Sequence, residues 1–417
     1  MTPRPYQIEA ASRHAANLKR FGVTVDGSDT GTGKTFVAAL TAKSLGWPVA
    51  VVCPKSVIPS WKETLAVMGI TPLFVENLER IRWDQKHARR TKKGWEWNLP
   101  CRCLLIFDEA HRCTGSDSQN AMLLMSAPKP VMIVSATLAD SPLKMRAVGH
   151  QLGIVHWDEW YRWCFAQGCQ KNLPFQGLKF TGGEGVLLNL HQKVFGEKGV
   201  RIRVADLGDA FPENQVVTVA VPVDETDALD QEYYSALEAL EQDAKSAGEM
   251  LLRARQKSEH LKLPAVIEMI DDAMDQGASV AVFMNFTDTL DRLRQAFPDA
   301  GTIHGGQTAD EREEAIRKFQ SNESRVILAM VQAGGVGVSL HDLHGGHPRV
   351  SLIFPTWSAV EMRQALGRIH RNGGKTPCLQ KILFAADTVE ERVRRKVDKK
   401  LDNIDLINDG DMTLTEL

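Results

Sequence analysis

Three short stretches of this sequence carry side chains whose types and spacing can handle phosphate. The first is Ser28-Asp29-Thr30-Gly31-Thr32-Gly33-Lys34-Thr35, set between the apolar run Phe21-Gly22-Val23-Thr24-Val25 and the helical pattern Phe36-Val37-Ala38-Ala39-Leu40. A glycine-rich turn that opens a helix gathers backbone N–H groups around an anion, and the helix end adds positive partial charge. Lys34 would then reach the β/γ-phosphates of a nucleotide, and the Thr35 hydroxyl would hold Mg²⁺. The strict pattern has Gly where Ser28 stands. The bland alternative is an ordinary turn before a helix.

The second stretch is Leu104-Leu105-Ile106-Phe107-Asp108-Glu109-Ala110-His111. A buried strand here delivers two carboxylates at its C-terminal end, where open α/β sheets bind ligands. Asp108 would hold Mg²⁺, directly or through water, and Glu109 would orient and deprotonate an attacking water. An acidic pair after a strand is common by chance; in one chain with an upstream phosphate loop it is not. The third stretch is Gln364-Ala365-Leu366-Gly367-Arg368-Ile369-His370-Arg371. On a helix, Arg368 and Arg371 share one face. Two such cations can be a solvated pair, or they can meet the γ-phosphate held elsewhere in the chain. An arginine inserted there stabilises the transition state by roughly 4–7 kcal/mol.

These side chains need a scaffold, and the sequence supplies two sheets. Val49-Ala50-Val51-Val52, Leu104 to Phe107 and Val131-Met132-Ile133-Val134 are continuous apolar runs, which suits buried parallel strands. Helical stretches between them give right-handed crossovers. Strand patterns resume at Gln215 to Val221, Ser279 to Met284, Arg325 to Met330, Arg349 to Phe354 and Leu379 to Phe384. The second sheet has no phosphate loop of its own. The expected division is 1–215 for a first α/β lobe, with a helical excursion over about 141–215, and 216–402 for a second. The second starts with two amphipathic helices over about 224–270 and carries the arginine helix near 359–371. Residues 403–417 read as a frayed C-terminal tail.

Composition narrows the class. The 417 residues exceed one typical domain, and 43% hydrophobic with 24% charged residues is globular. No apolar run is long enough to span a membrane, and Met1-Thr2-Pro3-Arg4 lacks a secretory core. Seven cysteines, an odd count without zinc-finger spacing, fit a reducing cytoplasm rather than a disulfide framework. The net charge of −2 gives no global pull toward nucleic acid, so any such contact must be local.

Several stretches keep two readings. Gln7 is either solvated or reads an adenine edge, since an amide both donates and accepts. Lys55 and Ser56, at a strand end, either touch a phosphate backbone or cap a helix. Trp83 to Trp97 is the most basic stretch and is flanked by tryptophans: a nucleic-acid contact, or a solvated loop whose rings anchor it. Trp157, Trp160, Tyr161 and Trp163 read as core of the excursion rather than a substrate platform.

Together the segments resemble the superfamily-two helicases and, within them, the Swi/Snf-type DNA-dependent ATPases. The resemblance runs from Arg4 to about Arg394. It rests on Arg4-Pro5-Tyr6-Gln7, Asp29 to Thr35, Val51-Val52-Cys53-Pro54-Lys55-Ser56 with Trp61, Asp108-Glu109-Ala110-His111, Ser135-Ala136-Thr137, Ala333-Gly334-Gly335-Val336-Gly337 and Gln364 to Arg371. It implies two tandem RecA-like lobes that close on ATP and Mg²⁺, with DNA lying across both. It implies that Gln7 recognises adenine, and that Thr30, Gly31, Thr32, Gly33, Lys34, Thr35, Gly337 and Gln364 line the nucleotide site. Ser135 and Thr137 would couple hydrolysis to the lobes, and Arg368 and Arg371 would act across the cleft. Lys55 and Ser56 on one lobe, and His304, Gly334 and Gly335 on the other, would contact nucleic acid. A finer likeness, in Trp160 to Cys164, Gly182 and Phe211 to Gln215, points to the annealing-helicase and fork-remodelling branch. There an adjacent arginine pair is usual, whereas Arg201-Ile202-Arg203 splits it.

The expected function is an ATP-dependent motor on duplex or branched DNA: monomeric, cytoplasmic (nucleoid-associated, or in a host's cytoplasm if viral) and built like compact bacterial or phage versions. The rivals are a strand-separating DNA or RNA helicase, an ATP-gated clamp on DNA and, least, a small-molecule kinase.

Overall fold

The computed structural model describes residues 3–92, 94–115, 118–172, 177–224, 226–239, 244–334, 338–356 and 358–409. Of these, 3–206 and 402–409 form one compact unit and 207–401 a second.

The first unit is built on six parallel strands. Their spatial order is Gly199–Val200, Val23–Asp26, Val131–Val134, Leu104–Asp108, Val49–Val52 and Phe74–Glu76. Alternation along each apolar run makes both faces greasy. Val23, Val25, Leu105, Phe107, Val131 and Ile133 pack on one side. Val49, Val51, Leu104, Ile106, Met132 and Val134 pack on the other. Each such side chain stabilises the fold by roughly 1.5–3 kcal/mol when fully buried. Helix Lys34–Leu45, rich in Val and Ala, covers one face and buries Phe36, Val37, Ala38, Ala39, Thr41 and Ala42.

The second unit repeats the plan with its own parallel sheet. The order is Asn214–Val221, Cys378–Ala385, Arg349–Ile353, Ser279–Met284, Val326–Met330 and Gly301–Ile303. The two helices expected at its start are Thr226–Ala239 and Ala244–Asp275. Each unit is thus a parallel sheet flanked by helices, the architecture of a RecA-like lobe.

Three expectations need correcting. The excursion after residue 141 is not purely helical: Cys169–Lys171 pairs antiparallel with Leu178–Phe180, and Gly199–Val200 rejoins the main sheet beside Val25 and Asp26. The tail does not fray at 403. Helix Glu390–Asp409 continues, with Ile404, Leu406 and Ile407 buried; residues 410–417 lie outside the described part. The arginine helix is shorter than its periodicity suggests. It spans Ala359–Leu366 and is capped at Gly367, so Arg368 follows it in a turn, Arg371 lies just past that turn, and the two do not share a helix face. No helix among the described residues is long and apolar enough to cross a membrane.

Candidate nucleotide site

Strands Val23–Asp26, Val131–Val134 and Leu104–Asp108 are neighbours and parallel, so their C-terminal ends sit side by side. The phosphate loop, the Ser135–Thr137 loop and the Asp108–Glu109 pair leave from these three ends. The sheet therefore brings together residues far apart in sequence.

The loop's geometry follows from its glycines. Gly31 and Gly33 have φ of 84° and 87°, a region other residues enter at a cost. A Cβ on Gly33 would also lie 2.5 Å from Gln7 Nε2. Lys34 Nζ donates to the loop's own carbonyls, Ser28 O and Asp29 O, both at 2.9 Å. Burial pulls the Lys34 pKa below its usual value, while the carboxylates of Asp26, Glu109, Asp108 and Asp29 work the other way. The Thr32 hydroxyl closes the turn on Asp29 O at 2.8 Å. Ser28, which replaces a glycine of the strict pattern, has a local job: its buried hydroxyl accepts from Ile202 N at 3.1 Å, tying the loop to the chain beyond the edge strand.

Gln7 is held against this loop. Its Nε2 donates to Thr32 O at 3.1 Å, and its Oε1 accepts from Arg4 N at 3.0 Å. Each end of the amide keeps a further bonding position. The Tyr6 hydroxyl donates to the same Thr32 carbonyl at 3.1 Å.

The acidic pair is oriented from two sides. Trp61 Nε1, fully buried, donates to Asp108 Oδ2 at 2.7 Å, and Glu109 N donates to Oδ1 at 2.9 Å. Burial and the neighbouring Glu109 charge push the Asp108 carboxyl up to about 7, against the Trp61 bond and Lys34. Glu109 itself has φ 51°, ψ 48°, an uncommon left-handed backbone for a non-glycine residue. His111 joins it to the third loop. Its Nδ1 lies 3.2 Å from Glu109 Oε2 and 3.2 Å from Ser135 Oγ. Ser135 Oγ in turn donates to Thr137 O at 3.0 Å. Glu109, His111, Ser135 and Thr137 thus form one polar chain across two strand ends.

In the second unit, Arg368 is 2% exposed and donates through Nη1 to Val338 O at 3.2 Å. Arg371 is half-buried, with Nε donating to Gly367 O at 3.2 Å, and its charge helps hold His341 down at about 4, after burial. Gln364 is buried on the preceding helix, Ala359–Leu366. His304 lies just past strand Gly301–Ile303 in a tight loop closed by Gln307, whose Oε1 accepts from His304 N at 2.9 Å. Gly334 ends the short helix Val331–Gly334, whereas Gly335 and Gly337 lie outside the described residues.

Lys55 and Ser56 are exposed after strand Val49–Val52, and the following helix is entered through Val57, which has no side chain able to cap it. The basic stretch is a two-stranded hairpin, Ala88–Thr91 with Gly94–Trp97. Its tryptophans divide between the two readings. Trp95 is buried, and Trp97 packs edge-on to Phe107 and donates to Leu123 O, so both anchor it. Trp83 is 82% exposed. The aromatics of 157–163 divide likewise. Trp160 is buried and stacks on Trp163 with centroids 5.5 Å apart, whereas Trp157 and Tyr161 are exposed, contrary to a reading of all four as core.

Sequence reasoning gave no role to Trp61, His111, Asp26 or Arg201. Trp61 and His111 stand inside recognisable segments, so their neighbours were a usable signal. Asp26 lies fully buried below the loop, where its Oδ1 accepts from Ser28 N at 2.9 Å and its Oδ2 lies 3.5 Å from His14 Nε2. Burial pushes its carboxyl up, but His14, Lys34 and Ser28 together bring it below its usual value. Arg201 is far away in sequence and could not be placed from spacing.

Comparison with known proteins adds the family. The model of the helicase conserved C-terminal domain matches residues 261–373. A protein of Acanthamoeba polyphaga mimivirus, provisionally named an ATP-dependent RNA helicase, is 32% identical over 98% of this chain and 84% of its own length. Protein CHROMATIN REMODELING 24 of Arabidopsis thaliana is 20% identical over 89% of this chain, which spans only 43% of that relative. Among solved structures, the Sulfolobus solfataricus SWI2/SNF2 ATPase core in complex with dsDNA covers 100% of this chain and 95% of its own, at 18% identity and a TM-score of 0.40. With a helicase domain matched in its second unit and a helicase relative aligned along almost its full length, the chain belongs to the ATP-dependent helicases.

Proposed function

We propose that this chain hydrolyses ATP on its first unit and uses the cycle to move along or remodel duplex or branched DNA. The observation that carries the reading is the phosphate loop with Lys34 near the charges of Asp108 and Glu109, on two parallel strands separated only by Val131–Val134. Lys34 would exchange the Ser28 and Asp29 carbonyls for phosphate oxygens. Gln7 would use its remaining donor and acceptor on adenine, and Thr30 to Thr35 would enclose the phosphates. Glu109 would take the proton from the attacking water, held in place by its link to His111.

The oxygen donors suit Mg²⁺. A hydroxyl and one carboxylate are the usual protein share of a site that otherwise holds waters and phosphates. Among the described residues no group of three or more His, Cys, Asp or Glu offers a fuller cage. Thr35 and Asp108 would hold the ion, which would supply charge neutralisation to the phosphates.

Arg371 would contact the γ-phosphate, and Arg368 would do so on releasing the Val338 carbonyl; Gly337 and Gln364 would line the same face of the pocket. Ser135 and Thr137, chained to Glu109 through His111, would relay the state of the site. Lys55 and Ser56 on one unit, and His304, Gly334 and Gly335 on the other, would hold the nucleic acid backbone. Trp83 and the basic hairpin would offer the first unit a further ring for stacking and further cations for phosphate. The fork-remodelling branch remains the finer reading of residues 157–221. The second reading is an RNA helicase, favoured by the name of the mimivirus relative.

The deciding experiment compares ATP hydrolysis on duplex DNA, forked DNA, single-stranded DNA and RNA, with strand displacement scored in parallel. The DNA reading expects the largest stimulation from duplex or fork. Stimulation by RNA alone would replace it with the second reading.

A further inference from the structure

The last turn of helix Glu390–Asp409 ends on two of the loops just described, and it belongs to the first unit. Leu406 and Ile407 enter the apolar core that lines the sheet, and His191 Nδ1 meets Ile407 O at 3.1 Å. Buried Asn408 donates through Nδ2 to Ala136 O at 2.9 Å, between Ser135 and Thr137. Next to it, Asp409 takes both prongs of a guanidinium: Arg201 Nε and Nη2 donate to its two oxygens, each at 2.7 Å. The same Arg201 bridges to the phosphate loop, through Nη2 to Asp29 Oδ1 at 2.8 Å and through Nη1 to Gly27 O at 2.5 Å. Asp29 Oδ2 accepts from Val204 N at 2.8 Å, which fixes its other side.

This is one buried cation shared by two carboxylates, one at the start of the phosphate loop and one at the end of the described chain. Burial works against the Arg201 charge, but Asp29 and Asp409 together hold it more firmly protonated than usual. A guanidinium satisfies carboxylates bidentately when it can. Remove Asp409, and the freed prongs turn to Asp29, the remaining anion, drawing the loop out of register. Remove the Asn408 amide, and the Ala136 carbonyl loses the bond that sets Ser135 and Thr137, and with them His111 and Glu109.

We infer that Arg201, Asn408 and Asp409 are positioning residues for nucleotide hydrolysis: the helix end sets the phosphate loop through Arg201 and Asp29, and the Ser135–Thr137 loop through Asn408. The inference rests on the ATP reading of the site. It assigns the two residues separate consequences, because one arm reaches the groups that bind phosphate and the other those that activate water.

The test uses the full chain with Asp409→Asn, Asp409→Glu, Asn408→Ala and Lys34→Ala. It measures kcat and KM for ATP, the affinity for a fluorescent ATP analogue, and the melting midpoint. Asp409→Asn is expected to weaken analogue binding and raise KM by about five- to tenfold with kcat within about twofold, and Asp409→Glu to recover most of the loss. Asn408→Ala is expected to lower kcat at least about fivefold with analogue affinity within about twofold. Wild-type kinetics in both variants, with Lys34→Ala inactive, would overturn the inference and leave the ATP reading standing. Parallel losses of kcat, affinity and melting midpoint in both variants would also overturn it, since the turn would then be structural only. A wild-type chain that neither binds the analogue nor releases phosphate would overturn the ATP reading, and this inference with it.

Discussion

Glu109 concentrates the chemistry at the scale of single residues. Its backbone sits at φ 51°, a conformation that costs about 1–3 kcal/mol and persists only when its surroundings impose it. The imposition is visible: its N–H is tied to Asp108 Oδ1, and its carboxylate lies 3.2 Å from His111 Nδ1. Glu109→Gln keeps the shape and removes the base. ATP binding should survive, while turnover falls by about 10²–10⁴, the usual worth of a positioned general base; single-turnover phosphate release checks it. At this scale the sequence was informative wherever a role depends on near neighbours. The loop from Thr30 to Thr35 and the Asp108–Glu109 pair could be read from spacing, because a strand end and a helix start fix their surroundings locally. Trp61 on Asp108, and Arg201 on Asp29, depend on contacts made only after folding, so no local pattern announces them.

Among the elements, the central strands Val49–Val52, Leu104–Asp108, Val131–Val134 and Ser279–Met284 were legible because each is a continuous apolar run buried on both faces, whereas the short strands Phe74–Glu76, Gly199–Val200 and Gly301–Ile303 were not. The helix before the two arginines was not. Its apolar periodicity continues through Ile369, yet the helix stops at Leu366, where Gly367 ends the run of helical bonds. Arg371 then folds back on the Gly367 carbonyl. The functional expectation for Arg371 therefore rests on the irregular chain beyond the turn, not on a helix face. Arg371→Ala should leave ATP affinity within about threefold and lower turnover at least about tenfold, from the 10³–10⁵ an inserted arginine can supply. Equilibrium binding beside steady-state rates decides it; lost binding would make the arginine structural. The hairpin at 88–97 also escaped the sequence reading. Its strands are short and mostly polar, so neither an apolar run nor clean alternation marks them, and buried Trp95 and packed Trp97 hold it in place.

For the molecule as a whole, two units carry matching sheets but different equipment. One has the anion loop and the acidic pair, the other a buried arginine, a half-buried arginine and the loop at His304. Such a division makes sense if hydrolysis is conditional on something that engages both, because a bound strand can then favour the active state only through differential contacts. The account's central claim is that nucleic acid controls ATP chemistry at Lys34 and Glu109. The most direct measurement is the steady-state phosphate-release rate of the full chain at saturating ATP and Mg²⁺, with and without saturating duplex DNA or RNA. The account predicts at least about a fivefold rise with one of the two nucleic acids, corresponding to about 1 kcal/mol of coupling, and release lowered by about 10²–10⁴ in the Glu109→Gln chain in either condition. Equal rates with and without both nucleic acids would contradict it.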